Sequence, residues 1–199
     1  IGKLAQKLKL DFIPAESMED QDFHFKLKSL SPDLFVVVAY KILPRDLLKI
    51  PKIGSVNLHA SLLPKYRGAA PIQHALLNGD KETGITTFFI EPKVDTGAVL
   101  LQEKIVINDD DDFGSLSKKV MVKGATLMLR TLDKIENGTI QTINQNSDLA
   151  SLAPKIRKKM YKIDWSQTAQ KIHNQIRAFS PSPGTFTTLN KKRIKIFKS

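Results

Sequence analysis

Three side chains in this sequence are of the types that move acyl groups: the amide of Asn57, the imidazole of His59 and the carboxylate of Asp95. Asn57 and His59 stand two apart, so on a strand both leave the same face. Asp95 lies 36 residues after His59 and meets them only through folding. A free imidazole titrates near neutrality, at about 6.5, and a positioned general base contributes about 10²–10⁴-fold. A carboxylate can orient that imidazole and stabilise its charged form. An amide aimed at a developing oxyanion is worth about 2.7–4 kcal/mol. Together these roles describe acyl-group transfer. The same residue types also fit a structural reading, with a strand-end Asn and His bonded to nearby backbone and Asp95 in a turn before Gly97.

The segment 61–68 that follows His59 combines a small hydroxyl, Ser61, with Leu62, Leu63, a rigid Pro64 and Gly68. Glycine lets backbone approach a ligand closely. Lys65 and Arg67 offer charge to a phosphate or carboxylate. The alternative is an ordinary strand-to-helix connection.

The elements that must position these groups read as alternating strands and helices. Helical spacing is expected over 1–10 and again at Phe23, Leu27 and Leu30. Residues 33–40 form an apolar run of β formers, which suits a parallel strand covered on both faces. A short helix over 44–50 leads to a strand over 55–59, which puts His59 at its C-terminal end. In open α/β sheets, ligands bind at that end. A helix over 70–77 stops at Asn78-Gly79, and strands follow over 85–90 and 99–107. The acids at 109–112 suit the N-terminus of a long helix over 113–136, where the macrodipole favours negative charge. They lack the Gly and Glu of a calcium loop. The pattern predicts an α/β domain with a mostly parallel sheet.

After about residue 140 the pattern changes. Residues 140–150 read as a linker, 153–161 and 166–179 as helices, and Ser180-Pro181-Ser182-Pro183-Gly184 as a break. Two strands over 185–189 and 193–197 begin a small β module. The expected division is therefore 1–139, 140–150 and 151–199.

The 199 residues can bury a real core, and 41% are hydrophobic, which argues against disorder. No apolar run reaches the roughly 18 residues of a membrane span. There is no Cys, which excludes disulfides and thiolate metal sites and fits a reducing cytosol. Lys3, Lys7 and Lys9 interrupt any signal-peptide core. The formal charge is +11, and its placement is informative. Residues 1–150 hold 19 basic and 19 acidic side chains, whereas 151–199 hold 12 basic and one acidic, Asp164. A neutral body with a basic C-terminal quarter suggests a polyanionic partner, with nucleic acid favoured over a merely solvated surface. The cluster Lys191, Lys192 and Arg193 is a candidate phosphate contact. His24 and His173 lack matching partners, His74 is expected to face solvent or substrate, and Trp165 is expected to anchor an interdomain segment.

The run Asn57-Leu58-His59-Ala60-Ser61-Leu62-Leu63-Pro64-Lys65-Tyr66-Arg67-Gly68-Ala69-Ala70-Pro71-Ile72 resembles the signature of the folate-dependent formyltransferases. Asn78-Gly79-Asp80, Glu82-Thr83-Gly84-Ile85-Thr86 and Val94-Asp95-Thr96-Gly97 continue the match. It runs on through Ile163-Asp164-Trp165-Ser166 and Arg177-Ala178-Phe179-Ser180-Pro181. Within this superfamily the resemblance is closest to methionyl-tRNA formyltransferases. Sugar-nucleotide formyltransferases tend to carry Arg at the position of Ala69.

The resemblance implies a Rossmann-like catalytic domain, a linker and the start of a small barrel that binds tRNA. It implies 10-formyltetrahydrofolate as formyl donor and the α-amino group of methionyl initiator tRNA as acceptor. Asn57, His59 and Asp95 would be catalytic, with His59 acting as base or as oxyanion donor. The folate would lie against Val38, Ala39, Tyr40, Ile42 and Leu43, the wall Ser61, Leu62, Leu63 and Pro64, and the loop residues Glu91 and Val94. Arg67, Lys191, Lys192 and Arg193 would meet tRNA. No metal and no membrane are implied, and a cytoplasmic monomer is expected. The family's opening strand and helix would precede Ile1 and its barrel would continue past Ser199, so weak turnover and a destabilised sheet edge are expected. A sugar-nucleotide formyltransferase and a non-catalytic folate- or RNA-binding remnant are the alternative readings.

Overall fold

The computed structural model describes residues 2–15, 17–38 and 43–199. The chain divides into two compact units, Ile1–Val56 and Asn57–Ser199.

The first unit contains helix α1 (Gly2–Lys7), helix α2 (Gln21–Ser29), strand β1 (Leu34–Val38), helix α3 (Arg45–Leu48) and the start of strand β2 (Gly54–His59). The Asp20 side chain caps α2 by accepting from the Asp22 N–H, which satisfies one of the orphan donors of the first turn. Lys52 N–H donates to Pro32 O and Ile53 N–H to Asp33 O. These bonds set the starts of β1 and β2 side by side, so the two strands run parallel, as the α3 crossover requires. Val38 ends β1 exposed, and Leu43 is partly buried. The other folate candidates in this stretch, Ala39, Tyr40 and Ile42, lie outside the described residues.

In the second unit β2 continues beside strand β3 (Glu82–Phe89), which lies beside strand β4 (Val99–Val106). Helix α4 (Pro71–Asn78) connects β2 to β3. Pro71 opens α4, and Gly79 closes it at φ 74°, a left-handed conformation that glycine adopts without steric cost. β3 and β4 pair antiparallel, from Glu82 opposite Val106 to Phe88 opposite Val99, with a bulge between Thr87 and Phe88. The sheet therefore carries an antiparallel pair beside its parallel strands, because β4 returns directly after β3 without a crossover helix.

Helix α5 (Phe113–Glu136) starts at a capping box in which Asp112 and Ser115 satisfy each other's backbone N–H. A Cβ on Gly124 would lie 2.7 Å from Leu58 Cδ2, so α5 approaches β2 closely through the face opposite Asn57 and His59. Leu76, Ile85, Ile105, Leu116 and Leu127 form the centre of the core. Thr86 and Thr87 are fully buried but satisfied. Thr86 Oγ1 donates to Ser61 O, and Thr87 Oγ1 shares a hydrogen bond of 2.8 Å with Thr131 Oγ1.

The helix expected over 153–161 does not form. Pro154 is unsuited to a helix interior, and the Ala153 N–H is taken by Arg67 O. Only a short 3₁₀ turn at Lys158–Tyr161 remains. The later helix, α6 (Ala169–Ala178), is capped by Thr168 and starts at Ala169 rather than 166. Asp164 instead bonds the Ser166 backbone and side chain and the Gln167 amide, holding an Asx turn before the helix. Strands β5 (Thr185–Leu189) and β6 (Lys192–Ile196) form an antiparallel hairpin. Asn190 and Lys191 at its tip have φ 48° and 63°, the two positive values of a type I′ turn.

Candidate formyl-transfer site

The end of β2, the loop after it and the turn before β4 converge on His59. His59 is buried, and its Nε2 lies 2.8 Å from the carbonyl oxygen of Tyr66. A carbonyl only accepts, so Nε2 carries the proton. Nδ1 is then the basic nitrogen, and it faces Asp95 Oδ2 at 3.8 Å. That is longer than a hydrogen bond, and the contact becomes an ion pair only when the imidazole is protonated. Both side chains are enclosed, at 8% and 12% exposure. The imidazole also meets the buried Phe88 ring edge-to-face, at 6.4 Å between centroids. Asn57 sits two residues earlier on β2 and is partly buried, and the pleat puts its side chain on the His59 face.

Asp95 is held as well as placed. Its Oδ2 accepts the Gly68 N–H at 2.7 Å, a short bond of the charge-assisted kind. Tyr66 and Asp95 have φ 60° and 53°, a region non-glycine residues seldom occupy. In each, that backbone is held by a neighbour: the Tyr66 carbonyl by His59 and the Asp95 carbonyl by Gln145.

The Tyr66 side chain is tied down too. Its hydroxyl donates to Asp80 Oδ2 at 2.6 Å and accepts from Asn78 Nδ2. Burial and the adjacent Asp80 carboxylate push the phenol up to about 12. A Cβ on Gly68, at φ 122°, would lie 2.6 Å from Ala153 O, so this position requires glycine.

A segment that follows α5 threads past this loop. Ile143 and Val99 exchange both backbone hydrogen bonds. Gln145 Oε1 accepts from Arg67 Nε at 3.1 Å and Nη2 at 2.7 Å. Gln145 Nε2 donates to Asp95 O at 3.0 Å and Gly97 O at 2.8 Å. Ser151 Oγ accepts the Tyr66 N–H, and Ser151 O accepts the Arg67 N–H. Gln145 and Ser151 carried no signal in the sequence, because a polar residue in a polar stretch looks the same whether it is solvated or threaded through a site.

Two candidates sit differently from their sequence reading. Arg67 is 7% exposed, with its guanidinium committed to Gln145, so it is not a surface cation. Ser61 is fully buried, and its hydroxyl donates to Lys65 O at 2.6 Å. Leu63 is buried in a small cluster with Phe88 and Val99, Leu62 and Pro64 are partly buried, and Glu91 and Val94 are exposed. Lys191, Lys192 and Arg193 are exposed at the hairpin, with the Arg193 guanidinium 3.7 Å from the Phe186 ring centroid, a cation–π contact.

The remaining singled-out residues have local partners. His74 Nε2 lies 2.9 Å from Pro154 O, His24 Nε2 2.6 Å from Met18 O, and His173 Nδ1 3.0 Å from Ser199 Oγ. Trp165 Nε1 donates to Thr187 Oγ1. Among the described residues, no three His, Cys, Asp or Glu side chains group as metal ligands, and no helix is long and apolar enough to cross a membrane. A cavity of about 450 Å³ bordered by Asp109, Asp112, His173, Arg177 and Phe197 contains none of the site residues.

Residues 4–132 match the formyl transferase family, and residues 155–199 match the formyl transferase C-terminal domain. A methionyl-tRNA formyltransferase from Thermodesulfovibrio yellowstonii is 48% identical over 200 residues, covering 100% of this chain and 65% of that protein. One from Synechococcus sp. is 46% identical, covering 94% and 58%. The chain thus spans somewhat less than two thirds of the curated relatives it matches. Among solved structures, a sugar N-formyltransferase from Shewanella sp. aligns with a TM-score of 0.80 at 19% identity, covering 98% of this chain and 79% of that one. An N-formyltransferase from Helicobacter canadensis, solved with folinic acid and dTDP-3-aminofucose, aligns at 0.67 with 30% identity, covering 79% and 58%. With the family match extending over more than half its length and the His59–Asp95 pair standing at the end of β2, this chain belongs to the formyl transferase family.

Proposed function

We propose that this chain is part of a methionyl-tRNA formyltransferase, moving a formyl group from 10-formyltetrahydrofolate to the α-amino group of methionine on initiator tRNA in the cytoplasm. The observation that carries the reading is the enclosed His59–Asp95 pair, with Nδ1 at 3.8 Å from the carboxylate. Further support comes from relatives of that name at 40–48% identity across nearly the whole chain.

In this reading the acceptor amine attacks the formyl carbon and a tetrahedral intermediate forms. The Asn57 amide donates to its oxyanion. His59 Nδ1 takes the proton that the amine loses, and the Asp95 carboxylate stabilises the imidazolium. As the intermediate collapses, the C–N10 bond breaks and N10 of the folate receives a proton. Because Nε2 is committed to Tyr66 O, proton transfer runs through Nδ1, which makes His59 a base first and an oxyanion donor only once protonated.

The folate lies against the 61–64 wall and against Glu91 and Val94. The domain division is a catalytic part over 1–139, a connecting segment over 140–150 and a tRNA-binding part over 151–199, acting as a monomer. The basic side chains of that last part, including Lys191, Lys192 and Arg193, meet tRNA phosphates.

The test is transfer of labelled formyl from 10-formyltetrahydrofolate to methionyl initiator tRNA, with a dTDP-amino sugar as competing acceptor. His59→Ala is expected to lower transfer by about 10²–10⁴-fold. Equal rates for parent and variant, or label on the sugar alone, would overturn the reading.

A further inference from the structure

We propose that Gln145 is a positioning residue that keeps the Asp95 carboxylate against His59, an inference that rests on the formyl-transfer reading of the site. Its amide is bonded on both sides. Oε1 accepts two bonds from Arg67, and Nε2 donates two bonds to the carbonyls of Asp95 and Gly97. A guanidinium has donors only and carbonyls accept only, so the amide has one permitted orientation.

The two carbonyls flank the turn in which Asp95 holds φ 53°. Asp95 is a non-glycine residue in a costly region of backbone space, and it persists there because neighbours hold it. Gln145 supplies that hold from outside the turn, and the Gly68 N–H then receives the carboxylate at 2.7 Å. Arg67 is thereby a second positioning residue. Its buried guanidinium orients Gln145, and its own backbone is fixed by Ser151 O and the Ala153 N–H. The polar stretch after α5 thus reaches the reacting groups through one side chain.

Gln145→Glu separates the two halves of the clamp. A glutamate still accepts from Arg67, so the buried guanidinium keeps a partner, but it cannot donate to either carbonyl. The readout is amide hydrogen exchange at Gly68, whose N–H is bonded to Asp95 only while the carboxylate is in place. It is measured alongside single-turnover formyl transfer and KM for both substrates.

In Gln145→Glu, Gly68 protection is expected to fall at least tenfold while the amides of Ile85 and Leu101 keep theirs. The transfer rate should fall by about 10²-fold, the effect of misplacing reacting groups by about 1 Å, with both KM values within about twofold. Unchanged Gly68 protection would overturn the proposal, as would lost protection with an undiminished rate. Lost protection in a chain whose parent transfers no formyl to methionyl-tRNA would uphold the clamp and overturn the functional reading instead. Gln145→Leu removes both halves and is expected to lower the melting temperature as well, because it strands the Arg67 guanidinium. A Gln145→Leu chain as stable as the parent would count against the Arg67 half.

Discussion

Replacing Gly97 by alanine isolates the contribution of the Asp95 turn. A Cβ at Gly97 would lie 1.7 Å from the carbonyl oxygen of Phe89 and 2.8 Å from its carbon. Real Cβ atoms essentially never come within 3.0 Å of a non-neighbouring heavy atom, so the turn and the Phe89 backbone must part by about 1.3 Å, the difference between 3.0 and 1.7 Å. The obstacle is backbone at the end of β3, where the Phe89 N–H is bonded to Ala98 O, and no rotamer relieves it. Gly97 also offers its carbonyl to Gln145 at 2.8 Å.

The part of that displacement taken up by the turn reaches Asp95, two residues away. A shift of that size in a group facing the base costs about 10²-fold in rate, and overpacking of this kind costs about 1–3 kcal/mol of stability. The assay pairs single-turnover formyl transfer with thermal unfolding of Gly97→Ala and its parent. A folded variant whose rate stays within about threefold of the parent would refute the reasoning, because it would show that the Asp95–His59 distance does not limit the reaction.

Other perturbations have equally definite outcomes. Asp111 is buried, which pushes its carboxyl up, but the Lys119 ammonium, the Asn108 N–H and the Ser115 hydroxyl together hold it below the usual carboxylate range. A depressed carboxyl stabilises the fold fully above about pH 4, its unfolded range, and that contribution fades as pH falls through the lower folded value. The melting temperature of the parent should accordingly drop more steeply below about pH 4 than that of Asp111→Asn, and parallel curves would contradict the assignment. Charge removal at Lys191, Lys192 and Arg193 should weaken tRNA binding and reduce the salt slope by about one for each phosphate that is no longer neutralised. Titration at several salt concentrations reads this directly, and an unchanged slope would remove the hairpin from the interface.

The α/β class and most of the element order were legible from residue types and spacing, and the family from the resemblance carried by the 57–72 run and the motifs that follow it. The long helix was readable because Asp112 and Asn137-Gly138 mark its ends and its apolar positions repeat at helical spacing. Asn57 and His59 were legible as a pair because the two-residue period of a strand is local. That the imidazole faces Asp95 through Nδ1 was decided by tertiary structure, since the tautomer depends on the Tyr66 carbonyl, whose direction follows from a positive φ.

Arg67 looked like a phosphate ligand because charge is visible in a sequence and burial is not; folding turned it inward to Gln145. Residues 143–153 read as connection and helix because local propensity governs such a reading. Their backbone and side-chain groups instead serve partners tens of residues away, at Pro64, Tyr66, Arg67, Asp95, Gly97 and Val99. The sequence by itself determined which groups are available for chemistry, which follows from residue type, and most of the segments that become strands or helices, which follow from short-range periodicity. Tertiary structure alone decided which polar groups are spent on one another, because a hydrogen bond needs contact and contact between distant segments exists only after the chain has folded.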